Sequence, residues 1–233
     1  MLNTIVAEAF CEACDELEQA EDFNTAVHDL IKRYFSEHQR IVFNGNGYSE
    51  EWLEEAERRG LPNIQSMVDA IPALVTEKAV RLFEKFGVFT EAELRSRAEI
   101  SYETYAKEIN IEARAMIDIA SKHIIPAVIR YITSLANSIN AVRQACGADI
   151  SCQTELLEEC SDLLAESKGA LSRLEKEVEQ GAVFAGGREQ AEFYRDHVAT
   201  AMHALRVPID KLEMLVDKEM WPMPSYSDLI FEV

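Results

Sequence analysis

Residues 157–178 read LEECSDLLAESKGALSRLEKEV, and the apolar positions in this stretch decide the fold class. They recur in alternating steps of three and four residues, which is the period of a seam between packed helices. The row consists of Leu157, Cys160, Leu164, Ser167, Leu171, Leu174 and Val178. Charged residues flank the row, as on the exposed sides of a coiled coil. The stretch therefore predicts one long helix with a single buried face.

The same period returns beyond the glycine-containing segment 181–187. The second row consists of Ala191, Tyr194, Val198, Ala201, Leu205, Leu212 and Val216. Because the connection is short, the two helices should form an antiparallel hairpin. Pro208 interrupts the second helix and predicts a kink there.

A third long helix is predicted upstream of this hairpin. It begins at the capping box of Thr90 and Glu93, and no stop signal follows until Gly147. Its apolar row consists of Ala98, Tyr102, Tyr105, Ile109, Ala113, Met116, Ala120 and Ile124. Pro126 removes one backbone donor, so we expect a kink rather than an end. The hairpin should pack on this helix, which predicts an all-α bundle of three long antiparallel helices.

Residues 1–89 predict shorter helices separated by turns, among them an Asn-Gly-Asn-Gly turn at 44–47. The predicted helices are one over 3–19, one capped by Asp22, one that is capped by Ser49 and stops at Gly60, and one over about 76–86 that ends at Gly87. The helix after Asp22 is expected to bury Val27, Leu30, Ile31, Tyr34 and Phe35. We expect 1–89 to form one structural unit with the long helices of 90–220. Residues 221–233 should form an extended apolar tail, because prolines at 222 and 224 oppose a helix.

The composition is acidic and poor in glycine and proline. The 42 acidic against 23 basic residues give a net charge of −19, which excludes broad electrostatic binding to nucleic acid or anionic membranes. Only 9 glycines and 6 prolines occur in 233 residues, which favours long uninterrupted helices. The five cysteines are interpreted as reduced thiols. Since neither a signal-like N-terminus nor a membrane-length apolar run is visible, we expect a cytoplasmic protein.

Three patterns suggest chemistry but fit a structural interpretation better. Cys11 and Cys14 form a CxxC inside a helical row, which we interpret as small buried thiols rather than a zinc or redox site. Residues 45–47 lack the third glycine of a dinucleotide-binding turn. No Glu-x-x-His pair supports a di-metal site. We therefore expect no catalytic, cofactor-binding or metal-binding residue in this chain.

Three segments predict interaction surfaces instead. Arg58 and Arg59 form a basic spot on an acidic protein, suited to an acidic partner surface. The apolar C-terminal segment is expected to dock on its own domain or on a neighbour. Its aromatic residues are Trp221, Tyr226 and Phe231. The first helix carries too many apolar side chains for one narrow stripe, so we expect self-association that strengthens with salt, with Phe10 and Leu17 in the contact.

Several strings of the sequence resemble the type III glutamine synthetases. They are LNTIVAE at 2–8, RIVFNGNGYSEEW at 40–52, ERRGLPN at 57–63, FEKFGVF at 83–89, IPAV at 125–128 and WPMPSYSDLIF at 221–231. The resemblance covers nearly the whole chain, and the strings NGNGYS and WPMP are specific.

The resemblance implies that this chain corresponds to the C-terminal region of such an enzyme, without its catalytic barrel. The family makes glutamine from glutamate and ammonia with ATP and magnesium, in large multi-subunit rings. Its ligands for nucleotide, glutamate and metal lie in the barrel, so no catalytic residue is carried over to this sequence. The leading hypothesis is a non-catalytic domain for subunit packing or regulation, with its own catalytic domain and neighbouring subunits as partners in a homo-oligomer. The alternative is a free-standing acidic helical adaptor.

Overall fold

The computed structural model describes residues 1–224 and 226–231, and for Tyr226 and Ser227 it describes the backbone alone. Within these residues every regular element is helical and none is a strand, so the predicted all-α class is confirmed. The chain divides into two compact units, Met1–Glu99 and Ile100–Val233.

The first unit begins with short helices. They are α1 (Leu2–Leu17), α2 (Phe23–Glu37), α3 (Glu50–Arg58), α4 (Met67–Leu74) and α5 (Glu77–Lys85). A single 3₁₀ turn, Gln39–Ile41, lies between α2 and α3. Helix α4 was not predicted from the sequence, because it is only eight residues long and Pro72 lies inside it. Its N-cap is nevertheless clear, because the Ser66 hydroxyl accepts the Val68 N–H at 3.2 Å.

Side-chain caps and glycines set the predicted helix boundaries. The Asp22 carboxylate accepts the Asn24 N–H at 3.1 Å, which starts α2 as expected. Gly60 and Gly87 adopt φ of 66° and 61° after α3 and α5, the left-handed conformation that glycine tolerates best. Ser49 occupies the N-cap position of α3, but its hydroxyl donates to a carbonyl oxygen of the preceding turn rather than capping the helix.

The predicted buried face of α2 is wrong in part. Leu30 is buried, as expected, whereas Ile31 and Phe35 are 62% and 64% exposed. The apolar residues of α2 cover two sides of the helix, and the first unit covers only the side that carries Leu30. Periodicity alone predicts an apolar face but does not say which molecule covers it.

The longest helical stretch spans 55 residues in three parts. They are α6 (Glu91–Ile119), a π-helical turn (Ala120–Ile124) and α7 (Ile125–Ala145). The capping box is present, since the Thr90 N–H donates to the Glu93 carboxylate at 2.8 Å and the Glu93 N–H donates to the Thr90 hydroxyl at 3.3 Å. The division between the two units falls within α6.

The interruption expected at Pro126 takes the form of the π-helical turn. The Ile125 N–H donates to the Ala120 carbonyl, five residues back rather than four. Pro126 follows at the start of α7, where its missing N–H and its ring are tolerated next to the widened turn. The helix therefore continues through the proline, as predicted.

The hairpin of the second unit is confirmed. It consists of α8 (Ser151–Gly181), α9 (Gly187–Phe193), a π-helical turn (Tyr194–Val198) and α10 (Ala199–Leu215). Helix α8 packs on both α10 and α7. Pro208 is fully buried within α10, and the helix continues through it.

Two apolar clusters form the core of the second unit. The first contains Ala106, Ala113, Ala120, Leu171, Leu174, Val178, Tyr194, Val198, Ala201 and Leu205. The second contains Ile124, Val128, Cys160, Leu163, Leu212 and Val216. Every member predicted for the Ala191–Val216 row is buried. In α8 the prediction was off at two positions, since Leu157 and Leu164 are half-buried and Leu163 is buried instead.

The C-terminal segment corrects the expectation of a fully extended tail. Residues 221–224 are non-helical, as predicted, but Tyr226–Phe231 form the short helix α11. A proline restricts itself and the residue before it, so the effect of Pro222 and Pro224 does not reach residues 226–231. Lys218 and Asp228 form an ion pair at 2.8 Å that links α11 to the residues just after α10.

Candidate interaction surfaces

The first candidate surface lies on α1, and we call it the α1 row: Leu2, Ile5, Val6 and Phe10. Their exposed fractions range from 45% to 71%. Three of them are spaced by four residues, so they follow one another along one side of the helix. Leu17, which was predicted with Phe10, is half-buried and lies beyond the row.

Two ion pairs hold α1 on the first unit. The Glu8 carboxylate meets the Lys85 ammonium of α5 at 2.5 Å, and Glu16 accepts two bonds from the Arg33 guanidinium of α2 at 2.9 and 2.6 Å. The Arg33 hydrogen bond lowers the pKa of Glu16, and the Glu8 hydrogen bond raises the pKa of Lys85. These pairs are partly exposed, so they orient the helix more than they stabilise it.

A groove of about 860 Å³ lies next to the α1 row, where α1 faces α5. Small and apolar side chains line part of it: Ile5 and Ala9 from α1, with Ala79 and Leu82 from α5. Its charged lining residues are Glu8, Glu12, Glu77, Lys78, Arg81 and Lys85. Ile5 belongs to both the α1 row and the groove lining, so the exposed apolar surface of α1 extends into the groove. Charged residues surround this part of the groove.

The predicted basic spot is built around a single carboxylate. Glu55 accepts from Arg58 at 2.6 and 2.5 Å and from Arg59 at 2.5 Å, and these bonds lower its pKa from 4.5 to about 2. Arg59 also donates to the carbonyl oxygens of Arg40 and Val42, at 3.1 and 2.7 Å. Arg59 is therefore a mostly buried link between α3 and the segment after α2, whereas Arg58 points outward with 71% of its side chain exposed.

The predicted C-terminal aromatic residues fall in different environments. Trp221 packs against the second core cluster, and its Nε1 is the one buried side-chain polar atom without a hydrogen-bond partner among the residues that the structure describes. Phe231 is 78% exposed at the end of α11. The side chain of Tyr226 lies outside the described part of the chain. The C-terminal segment is therefore packed on the core at Trp221 and exposes an apolar side chain at Phe231.

A further exposed row on α2 includes three residues that were predicted to be buried, Val27, Ile31 and Phe35, together with Phe23, for which no burial was predicted. We call it the α2 row: Phe23, Val27, Ile31 and Phe35. Phe23, Ile31 and Phe35 are 60%, 62% and 64% exposed, and Val27 is half-buried. A groove of about 520 Å³ lies beside the row, lined by Ile31, Phe35 and the polar residues next to them. No signal in the spacing separates this row from the buried face, because Leu30 and Tyr34 on that side are also four residues apart.

The residues with reactive or metal-binding side chains are dispersed. Among the described residues, no group of three or more His, Cys, Asp or Glu is placed to hold a metal ion. The CxxC interpretation was wrong for Cys14, which is exposed, while Cys11 is half-buried. Cys160 is buried in the second core cluster, and burial raises the pKa of its thiol. None of the described helices combines the length and the apolarity needed to cross a membrane.

Comparison with known families shows to which family the chain belongs. The family model described as the glutamine synthetase C-terminal domain matches residues 26–143, half of the chain. The chain belongs to this family. The matched region runs from α2 to α7 and so contains Arg58, Arg59 and most of the α2 row, whereas the α1 row and the C-terminal segment lie outside it.

Individual glutamine synthetases align with nearly the whole chain. The "Glutamine synthetase" of Butyrivibrio fibrisolvens is 31% identical over 99% of this chain and 32% of its own length. The "Type-3 glutamine synthetase" of Dictyostelium discoideum is 32% identical over 99% of this chain and 32% of its own length. The glutamine synthetase of Bacteroides fragilis is 28% identical over 92% and 30% respectively. The predicted resemblance is confirmed, and the chain spans about a third of the length of these curated relatives.

Proposed function

We propose that this glutamine synthetase C-terminal domain is a non-catalytic docking module. Its α1 row packs against the remaining two thirds of a glutamine synthetase polypeptide and contributes to subunit packing. ATP, magnesium, glutamate and ammonia are then handled by that other part. The described residues of this chain do not offer a group of metal ligands that fits magnesium, so no step of the ligase reaction is assigned to them.

The observation that carries the proposal is the exposure of the α1 row on a helix that is otherwise fixed in place. Fully burying an aliphatic or aromatic side chain is worth about 1.5–3 kcal/mol. Since the four side chains of the row are roughly half exposed, covering them contributes on the order of 3–6 kcal/mol before the cost of association. Covalent linkage to the partner lowers that cost, because the encounter is then intramolecular.

A chimera tests the docking surface. The segment of the Butyrivibrio fibrisolvens relative that aligns with this chain is replaced by this chain, and the assembled mass and glutamine formation of the product are measured. We expect the chimera to assemble and Phe10→Asp to prevent assembly, because a carboxylate on the α1 row is left in an apolar contact. Ile111→Asp is the matched control, since Ile111 is 66% exposed and Phe10 is 67% exposed. A Phe10→Asp chimera that assembles like the wild-type chimera contradicts the proposal.

The non-catalytic role has its own measurement on the isolated chain. Mixed with glutamate, ammonia and magnesium-ATP, the purified protein should form no glutamine, and calorimetry should show no saturable binding of magnesium-ATP. Glutamine formation above the blank, lost on boiling the protein, would show that this chain carries catalytic groups.

A further inference from the structure

The α2 row has a property that the α1 row lacks: it is symmetric in size about its own centre. Read in either direction along α2, its members run aromatic, β-branched, β-branched, aromatic, at Phe23, Val27, Ile31 and Phe35. The centre of the row lies at the level of Asp29. The α1 row lacks this symmetry. Its residues spaced by four begin with the aliphatic Leu2 and end with the aromatic Phe10.

We propose that the α2 row is a contact between two copies of this chain, which pack antiparallel about a two-fold axis at the level of Asp29. In this arrangement Phe23 of one copy meets Phe35 of the other, and Val27 meets Ile31. A two-fold contact places the same patch of both copies together, and in this row the residues that then meet are alike in size. Rows of residues spaced by four are also the ridges that interlock most often when helices cross.

The local shape suits this pairing. The groove of about 520 Å³ beside the row is lined by His28, Ile31, Lys32, Phe35 and Ser36. It lies at the Phe35 end, where the antiparallel pairing brings Phe23 of the second copy. All five lining residues lie on α2, so an aromatic side chain from the second copy rests on the surface of this helix beside Ile31 and Phe35.

The charges of α2 also favour a second copy. Its acidic residues, Asp22, Asp29 and Glu37, lie roughly 100° or more around the helix from the middle of the α2 row. The polar residues that flank the row on its exposed side carry no acid: Asn24, His28, Lys32 and Ser36. Two copies with a net charge of −19 each repel one another at long range, so an acid-free face is where they can approach.

The size of the row sets the expected strength. Its exposed side chains present roughly 400 Å² on each copy, about half of the area that one partner contributes to a standard interface. We therefore expect a dimer in exchange with monomer, with a dissociation constant in the micromolar range. Association should strengthen with added salt, because the repulsion between the two acidic copies is screened.

Sedimentation equilibrium of the full 233-residue chain tests the contact. The wild-type protein should show a monomer–dimer equilibrium, and Ile31→Asp should weaken it at least about thirtyfold, since Ile31 lies near the centre of the row. Ile111→Asp, at a site of similar exposure on α6, should leave the equilibrium unchanged. Circular dichroism and thermal melting confirm that each variant is folded, which is expected because both sites are exposed.

Complementary charges test the antiparallel register. Phe23→Lys and Phe35→Asp should each weaken the homodimer, and an equimolar mixture should recover a heterodimer, because the introduced ammonium and carboxylate then face each other across the contact. Parallel pairing places position 23 against position 23 and gives no recovery. Recovery supports the proposal, and its absence overturns the register.

The other outcomes are equally decisive. A monomer at every concentration and salt level, or an Ile31→Asp protein that dimerises like the wild type, overturns the contact. If Phe10→Asp abolishes the dimer and Ile31→Asp does not, self-association runs through α1, as the sequence analysis expected. The proposal does not rest on the docking function of the α1 row, which the chimera tests separately.

Discussion

In the α8–α10 hairpin, the ring of Tyr194 lies close against the backbone at Gly181. A substitution of Gly181 can probe this contact. Gly181 ends α8, and a Cβ atom there would lie 2.9 Å from Cε2 and 3.0 Å from Cζ of the Tyr194 ring. Tyr194 is 2% exposed in the first core cluster, so its ring has little room to move. Gly181→Ala should therefore force the ring and its neighbours apart.

Two opposing effects determine the size of this change. Overpacking a well-packed core costs about 1–3 kcal/mol, and replacing glycine by alanine in a helix returns about 0.4–1 kcal/mol through the unfolded chain. We expect Gly181→Ala to lower the free energy of unfolding by about 0.5–2 kcal/mol. Gly169 lies in the same helix with nothing within 4 Å of its Cβ position, so Gly169→Ala should raise it by about 0.5–1 kcal/mol.

Urea unfolding followed by circular dichroism, at one protein concentration, measures both variants. The two substitutions should change the free energy of unfolding in opposite directions. Helix propensity alone predicts that both increase it, so the comparison distinguishes the two effects. A third protein, Tyr194→Leu, provides the background in which Gly181→Ala should lose its cost. If Gly181→Ala stabilises the wild-type protein as much as Gly169→Ala does, the close approach of the ring does not constrain the hairpin.

Two further predictions concern titratable groups. Because hydrogen bonds from two arginines hold the pKa of Glu55 at about 2, its contribution to stability is present above its ordinary pKa of 4.5 and is lost as the pH falls from 4.5 towards 2. The stability difference between wild type and Glu55→Gln should thus shrink across that window, and urea midpoints that differ equally at neutral pH and at pH 2 would contradict it. Cys160 is buried with a raised pKa, so Ellman's reagent should modify the exposed Cys14, Cys146 and Cys152 in the folded protein and Cys160 only on unfolding; peptide mass analysis showing early modification of Cys160 would refute this.

The second unit was predictable from sequence because its apolar rows are long and its own helices cover them. The Ala191–Val216 row was found complete, and the capping box at Thr90 placed the start of α6 within one residue. A row sustained over many turns averages out local irregularities. The π-helical turns were not predicted, because one extra residue in a turn is no larger than the ordinary alternation between steps of three and four in an apolar row.

The first unit was less predictable for a physical reason. Its helices are short, so each carries few periodic positions, and α4 with its internal Pro72 gave too weak a pattern. The exposure of Ile31 and Phe35 could not follow from their spacing, since an apolar row looks the same whether its own unit or another molecule covers it. Phe10 was predicted to lie in a contact because α1 has more apolar residues than one buried stripe can hold. This prediction needs only the number of apolar residues in the helix and not the identity of the partner.

The π-helical turns at Ala120–Ile124 and Tyr194–Val198 bear on how this family tolerates changes in chain length. Within an α-helix, deleting one residue rotates everything downstream by about 100° and turns a buried row towards solvent. A turn closed by a bond over five residues holds one residue more than an α-helical turn. Deleting a residue there restores the ordinary turn and keeps the rows on both sides in phase. We therefore expect related sequences to differ by one residue at these two turns more readily than elsewhere in the long helices, because the core need not repack.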